Sequence, residues 1–168
     1  IYFITGASGV GKTTLLELVM KKYETRPWLF FHFDSIGVPS LDEMRREFGS
    51  TSEWQKAKTF QWIDRLLHEY LGSKIFIEGQ SNLNFIREGF AKHNFENYII
   101  VLVDCSEEEM ERRLTVNRSQ PELYTEDMKK WLRYLRRQAM ESNTLVLDSS
   151  GISPEETLQE FERLTGLR

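Results

Sequence analysis

The sequence predicts an α/β protein in which five apolar strands alternate with helices and close into a mostly parallel sheet with right-handed crossovers. Three observations carry that expectation. Short β-prone runs recur at residues 1–5, 28–33, 74–78, 98–103 and 144–147, each followed by Gly or Asp. Helical apolar spacing and capping signals fill the intervals, among them Ser40-Leu-Asp-Glu43, Ser106-Glu-Glu-Glu109 and Ser153-Pro-Glu-Glu156. A glycine-rich segment links the first run to the first helix. At 168 residues the chain is about one domain long, with enough apolar residues for a real core.

The glycine-rich segment, Gly6-Ala-Ser-Gly-Val-Gly-Lys-Thr13, fits the pattern G-x-x-x-x-G-K-[ST] between a strand and a helix, the context that pattern requires. Its glycines let the backbone N–H groups of residues 8 to 13 converge on phosphate oxygens, and the first helical turn adds unpaired N–H groups and a partial positive charge. Lys12 is placed to reach β- and γ-phosphates, and the Thr13 hydroxyl to ligate Mg²⁺. The expected nucleotide-binding set is Gly6, Ala7, Ser8, Gly9, Val10, Gly11, Lys12, Thr13 and Thr14. The helix should run from Lys12 to about Tyr23, with Pro27 closing off any continuation.

Trp28-Leu-Phe-Phe-His-Phe33 reads as a strand buried on both faces and ending at Asp34. In open α/β sheets the carboxyl edge carries the ligand crevice, so Asp34 should face the phosphate loop as a catalytic carboxylate; the plain alternative is an Asp that starts a turn. Ser40 to Glu43 opens a short helix with Leu41, Met44 and Phe48 on one face. That leaves Arg45 and Arg46 as acceptor contacts or solvated charges. A longer helix from about Ser52 to Leu71 carries Phe60, Ile63, Leu67 and Tyr70 as its apolar stripe and stops at Gly72, with Trp54 and Trp62 as core residues. The strand Lys74–Glu78 delivers a second carboxylate to the same edge. Glu78 is suited to a Mg²⁺-bound water or an acceptor hydroxyl, and equally to an ion pair with Lys12 or an arginine. Gly79 and Gln80 continue into a turn, and a helix from Asn84 to about Lys92 carries Arg87.

Tyr98–Val103 is a β-branched strand ending at Asp104, followed by Cys105, a lone cysteine expected to be buried and inert. Ser106 opens a helix through Arg112 and Arg113 towards Arg118, interrupted at Ser119-Gln-Pro-Glu122. From Glu126 a long helix puts Met128, Trp131, Leu132, Leu135 and Ala139 at core spacing and Lys130, Arg133 and Arg137 on another face. Residues 112–137 are thus a basic stretch, suited to a lid over a triphosphate with Arg118 near its break, or to a solvated helical hairpin. The three histidines, His32, His68 and His93, lack metal-ligand spacing. The formal charge of −4 argues against a broad footprint for duplex nucleic acid. The longest apolar run is far too short to span a membrane, and a cytoplasmic location is the default.

Over its whole length the chain resembles the P-loop kinase group that includes nucleoside monophosphate kinases, shikimate and gluconate kinases and the kinase domain of polynucleotide kinase. The most specific part of that resemblance is Gly6 to Thr14. It implies one three-layer P-loop domain over residues 1–168, a five-stranded parallel sheet of order 2-3-1-4-5 with helices on both faces, and a short helical lid at 112–137. It also implies ATP and Mg²⁺ as cofactors, Asp34 as the base for an acceptor hydroxyl, and Arg118 as a phosphate-side lid arginine. Arg113, or Arg112 beside it, would stack on adenine, and the loop Ser149 to Pro154, with Ser150 and Gly151, would line the adenine side.

One departure matters. Adenylate-kinase-like enzymes place D-G-x-P-R after the third strand, where the Arg grips the acceptor's phosphate, whereas this chain reads Glu78-Gly79-Gln80-Ser81-Asn82. A hydroxyl-bearing small molecule, nucleoside or nucleotide is therefore the expected acceptor, with Arg45, Glu78, Gly79, Gln80 and Arg87 as its contacts. Two alternatives stand beside it: a nucleoside monophosphate kinase using Arg45, Arg46 and Arg87, and a non-catalytic nucleotide-binding module. The N-K-x-D and L-S-G-G-Q patterns of other P-loop classes are absent.

Overall fold

A computed structural model describes residues 1–168. The strands are β1 (Tyr2–Thr5), β2 (Leu29–His32), β3 (Ile75–Gly79), β4 (Ile99–Asp104) and β5 (Leu145–Asp148). They form one parallel sheet in the order β2-β3-β1-β4-β5, the expected 2-3-1-4-5. Seven α-helices connect and cover them: α1 (Lys12–Lys22), α2 (Leu41–Phe48), α3 (Thr51–Glu69), α4 (Leu83–Lys92), α5 (Glu107–Arg112), α6 (Glu126–Glu141) and α7 (Pro154–Thr165).

The period-two alternation of the central strands sorts their side chains between two apolar layers. Ile4, Phe76, Val101 and Val103 pack under α1 and α7. Phe3, Ile75, Ile77, Ile100 and Leu102 pack under α3 and α4, while α6 contributes Leu132 to the first layer and Leu135 and Ala139 to the second. Burial of each such side chain is worth about 1.5–3 kcal/mol, so β1, β3 and β4 fix the sheet while the edge strands are held more lightly. No helix is long and apolar enough to cross a membrane.

The structure corrects several expectations. β2 is an edge strand and only half-buried; its aromatics are covered by their neighbours, Phe30 stacking on Phe76 at 5.2 Å and Phe31 meeting Trp62 at 5.6 Å. The strand stops at His32, and Phe33–Ile36 form a 3-10 turn that carries Asp34. Leu41 is 58% exposed rather than packed with Met44. Ser106 accepts from the Glu109 N–H, but the Glu109 carboxylate turns to Arg112 and Arg113 instead of back to Ser106, so only half of that capping box forms. α5 ends at Arg112 and runs into a single π turn, Arg113–Asn117.

Candidate active site

The loop between β1 and α1 has its geometry forced from both sides. Gly6 has φ 153° and lies so close to β4 that a Cβ would sit 2.3 Å from the Val103 carbonyl oxygen. Gly9 has φ 84°, and a Cβ there would come within 2.9 Å of Leu114 in the π turn. Only glycine fits either position. Gly11 N-caps α1 in a left-handed conformation with no side-chain cap, which leaves the first N–H groups of the helix without side-chain partners.

Lys12 is buried, and its Nζ donates to the Ala7 carbonyl at 2.8 Å, curling over the loop. Burial pulls its pKa down from 10.5 to about 8; the negative charge of Glu78 opposes that shift, Arg118 adds to it, and Asp34 opposes it again. Glu78, Arg118 and Asp34 are thus the main charges that act on this ammonium group. The Asp34 carboxyl is pushed up by burial and by Glu78, against the pull of Lys12 and His32. Glu78 is buried, and its Oε1 lies 2.8 Å from His32 Nδ1. Of the roles expected for Glu78, the contact made is with a histidine rather than with Lys12 or an arginine.

Two cavities open on either side of this cluster. One, of about 340 Å³, is lined by Gly9, Val10, Gly11 and Thr14 of the loop and first turn, by Arg112, Arg113, Asn117 and Arg118, and by Ser149 and Ile152. The other, of about 400 Å³, is lined by Phe33, Asp34, Val38, Leu41, Met44, Thr51, Ser52, Trp54, Gln55, Gln80, Asn82 and Trp131. The second is joined to the phosphate loop through Gln80, whose Oε1 accepts from Ser8 Oγ at 3.2 Å. Its floor is tied down by buried polar contacts. Gln55 donates to the Gln80 carbonyl at 3.0 Å and accepts from the Asn82 N–H at 3.1 Å, and Thr5 Oγ1 donates to the Ser81 carbonyl at 2.7 Å.

Arg113 lines the first cavity but its donors are spent within the protein. It donates to Glu109 at 2.6 Å, to the Val10 carbonyl at 2.9 Å, and to the Ser149 hydroxyl and carbonyl at 2.9 and 2.7 Å. It therefore clamps the phosphate loop to the loop after β5. Arg112 is paired with Glu109, which the two arginines hold down to a pKa of about 2.

Several expected contacts lie elsewhere. Arg45 is exposed, 3.5 Å from Asp42, and Arg46 is exposed beside Glu47, so neither lines a cavity. Arg87 hydrogen-bonds Thr144, which precedes β5, and lies near Tyr98, which precedes β4; it belongs to the amino edge of the sheet, opposite the crevice. Ser150 faces away from the first cavity, donating to Asp148 and accepting from the Ser106 N–H, and Gly151 is exposed; Ser149 and Ile152 line it in their place. Gly79 is buried under Phe33, 2.1 Å from where its Cβ would fall, and serves close packing rather than contact. Cys105 is buried and its thiol is pushed up to about 11 by burial, as expected for an inert cysteine. His32, Gln55 and Asn82 were not singled out as site residues by the sequence. The His32–Glu78 pairing follows from the β2–β3 register, which no local pattern reveals.

The residues present fit a nucleoside triphosphate with Mg²⁺. A glycine-rich loop, a buried ammonium and a helix start form an anion cradle, with Thr13 at the first turn. No group of three or more His, Cys, Asp or Glu side chains is assembled around a metal. That suits Mg²⁺ held mostly by phosphate oxygens and waters.

The sequence profile described as an AAA domain matches residues 3–124. A comparison with curated proteins found no match. Among solved structures, the chain is similar to a gluconokinase from Sinorhizobium meliloti 1021, with a TM-score of 0.68 at 16% identity over 99% of this chain and 90% of that one. It is similar to shikimate kinase from Bacteroides thetaiotaomicron, with a TM-score of 0.68 at 17% identity over 99% and 98%. It is also similar to Mycobacterium tuberculosis APS kinase, solved with AMPPNP and APS, with a TM-score of 0.59 at 16% identity over 98% and 96%. These likenesses establish the fold.

Proposed function

The chain belongs to the AAA domain family, and from that premise we propose that it is a phosphotransferase moving the γ-phosphoryl of ATP to a hydroxyl of a small molecule or nucleoside. One observation supports this above the others: the charges of Glu78, Arg118 and Asp34 all act on the Lys12 ammonium, while Arg118 lines the cavity against the phosphate loop and Asp34 lines the other, which Gln80 links to Ser8 of that loop. One cavity has the length of loop and the arginines that suit a nucleotide; the other presents a carboxylate to an acceptor. The kinase activities named for the structural neighbours agree with this division.

In this reading the loop amides and Lys12 hold the β- and γ-phosphates, and the Thr13 hydroxyl is the protein's ligand to Mg²⁺. When bound, Mg-ATP supplies the phosphoryl group and a divalent charge beside it. Asp34 takes the proton of the acceptor hydroxyl as that oxygen bonds to phosphorus and the bond to ADP breaks. Its raised pKa makes it a better base than an ordinary carboxylate. Glu78, fixed by His32, holds negative charge near Lys12, and Arg118 offsets charge on the migrating group. The phosphate-acceptor alternative is weakened because Arg45, Arg46 and Arg87 face away from both cavities.

The test is transfer of label from γ-³²P-ATP to a pool of alcohols and nucleosides, read as a new phosphate ester. Wild type should form one, and Asp34→Asn should bind ATP yet form almost none. Tight ATP binding with release of inorganic phosphate alone, whatever acceptor is offered, would remove the reading in favour of a nucleotide-binding module.

A further inference from the structure

Resting on the kinase reading above, we infer that the acceptor is an uncharged molecule carrying an alcohol and an apolar ring face, and bears no phosphate, sulfate or carboxylate. The lining of the Asp34 cavity carries this. It holds no lysine, arginine or histidine, and its one charged side chain is the Asp34 carboxylate. Its walls are Phe33, Val38, Leu41, Met44, Trp54 and Trp131, and its polar groups are amides and hydroxyls.

None of the bases of α2, α3 and α6 belongs to its lining. On α2, Arg45 lies 3.5 Å from Asp42 and Arg46 lies 3.3 Å from Glu47. On α3, Lys56 pairs with Glu88 at 2.7 Å and Lys58 donates to Gln61 at 2.9 Å. On α6, Arg133 pairs with Glu107 at 2.7 Å and Arg136 with Asp104 at 2.6 Å. An anionic acceptor would enter without a counter-ion and beside a carboxylate, paying desolvation and repulsion together.

A second observation is independent of charge. The rings of Trp54 and Trp131 both belong to the cavity wall. Two indole rings beside Phe33 suit a ring face.

Matched pairs test this in transfer and equilibrium-binding assays with full-length protein: adenosine against AMP, uridine against UMP, methyl shikimate against shikimate, and glucose against gluconate. The neutral member of the productive pair should have at least ten-fold the kcat/KM of its anionic partner. Leu41→Arg, an exposed position on the cavity rim, should narrow that ratio ten-fold or more by supplying the missing cation. Equal or better use of the anionic members overturns the inference and leaves the kinase reading standing, as does a ratio that Leu41→Arg does not move. ATP turnover with no ester formed from any member removes the kinase reading, and the inference falls with it.

Discussion

The two cavities that flank the phosphate loop are similar in size and opposite in electrical character. The one against Gly9 to Thr14 is ringed by Arg112, Arg113 and Arg118, while the one against Asp34 holds a single carboxylate amid aromatic and aliphatic walls. The difference teaches that cationic chemistry is concentrated where a polyphosphate would lie, and that Lys12, which is buried, and His32 are the bases that act on Asp34. Phosphoryl transfer needs charge compensation at the migrating group far more than at the acceptor's body.

The largest test of that boundary is Lys12→Met. Transfer should fall by about 10⁴-fold or more, since the buried cation aimed at the phosphates is lost. The fold should nevertheless gain stability. With a folded pKa of about 8 against 10.5, Lys12 is charged in both states below pH 8, so at neutral pH the folded protein bears the full penalty of a buried ammonium. At about 1.4 kcal/mol per pKa unit the penalty is on the order of 3.5 kcal/mol, worth several degrees in Tm at this chain length. A thermal scan showing a lower Tm would break the account of Lys12 as a strained functional group.

On the other side of the boundary, Asp34→Asn should lower kcat by about 10²–10³-fold with little change in ATP affinity, measured by calorimetry beside the transfer assay. Equal losses in both would make Asp34 a structural residue of its turn.

Within the nucleotide-side cavity, Arg113→Ala should weaken ATP binding about ten-fold or more and lower Tm, because its guanidinium holds Val10 and Ser149 together and hydrogen bonds to a charged group are worth about 1.5–3 kcal/mol each. Arg112→Ala should leave Tm unchanged and affect ATP affinity less. A reversal of that order would move the clamp to Arg112.

The smallest effect is on pH. Because the Lys12 pKa is depressed to about 8, the free protein loses that charge as pH rises through 8. ATP affinity should then fall by about five-fold between pH 8 and pH 9, and Lys12→Met should erase the dependence. The stability contribution has the opposite sign: between pH 8 and 10.5 the unfolded chain holds more protons than the folded one, so wild-type stability should rise with pH there.

What was legible in the sequence divides along the same physical line. The phosphate loop is a local pattern, in which eight consecutive residues specify strand, turn and helix start, so Gly6 to Thr13 could be read directly. The alternation of strands and helices was legible for the same reason; the strand order came from resemblance, since no single-sequence periodicity encodes which strands are neighbours. The His32–Glu78 contact depends on that order and was invisible. Arg87 failed as an acceptor contact because a helix that follows a parallel strand runs back towards the opposite edge, carrying its later residues out of the crevice. Arg45 and Arg46 were offered both as acceptor contacts and as solvated charges, and it is the second that the structure bears out. Whether β2 was buried on both faces was likewise a matter of sheet position, not of its own aromatic composition.

The packing of Leu114 against Gly9 has a mechanical consequence. With that leucine buried against the loop and Arg113 pinned by Val10 and Ser149, the root of the basic segment is bolted to the part of the protein that grips phosphate. The first left-handed residue beyond that root is Ser119, with φ 53°. Arg118, the residue before it, therefore stays with the anchored root and in the wall of the nucleotide-side cavity, and not with the far end of the segment.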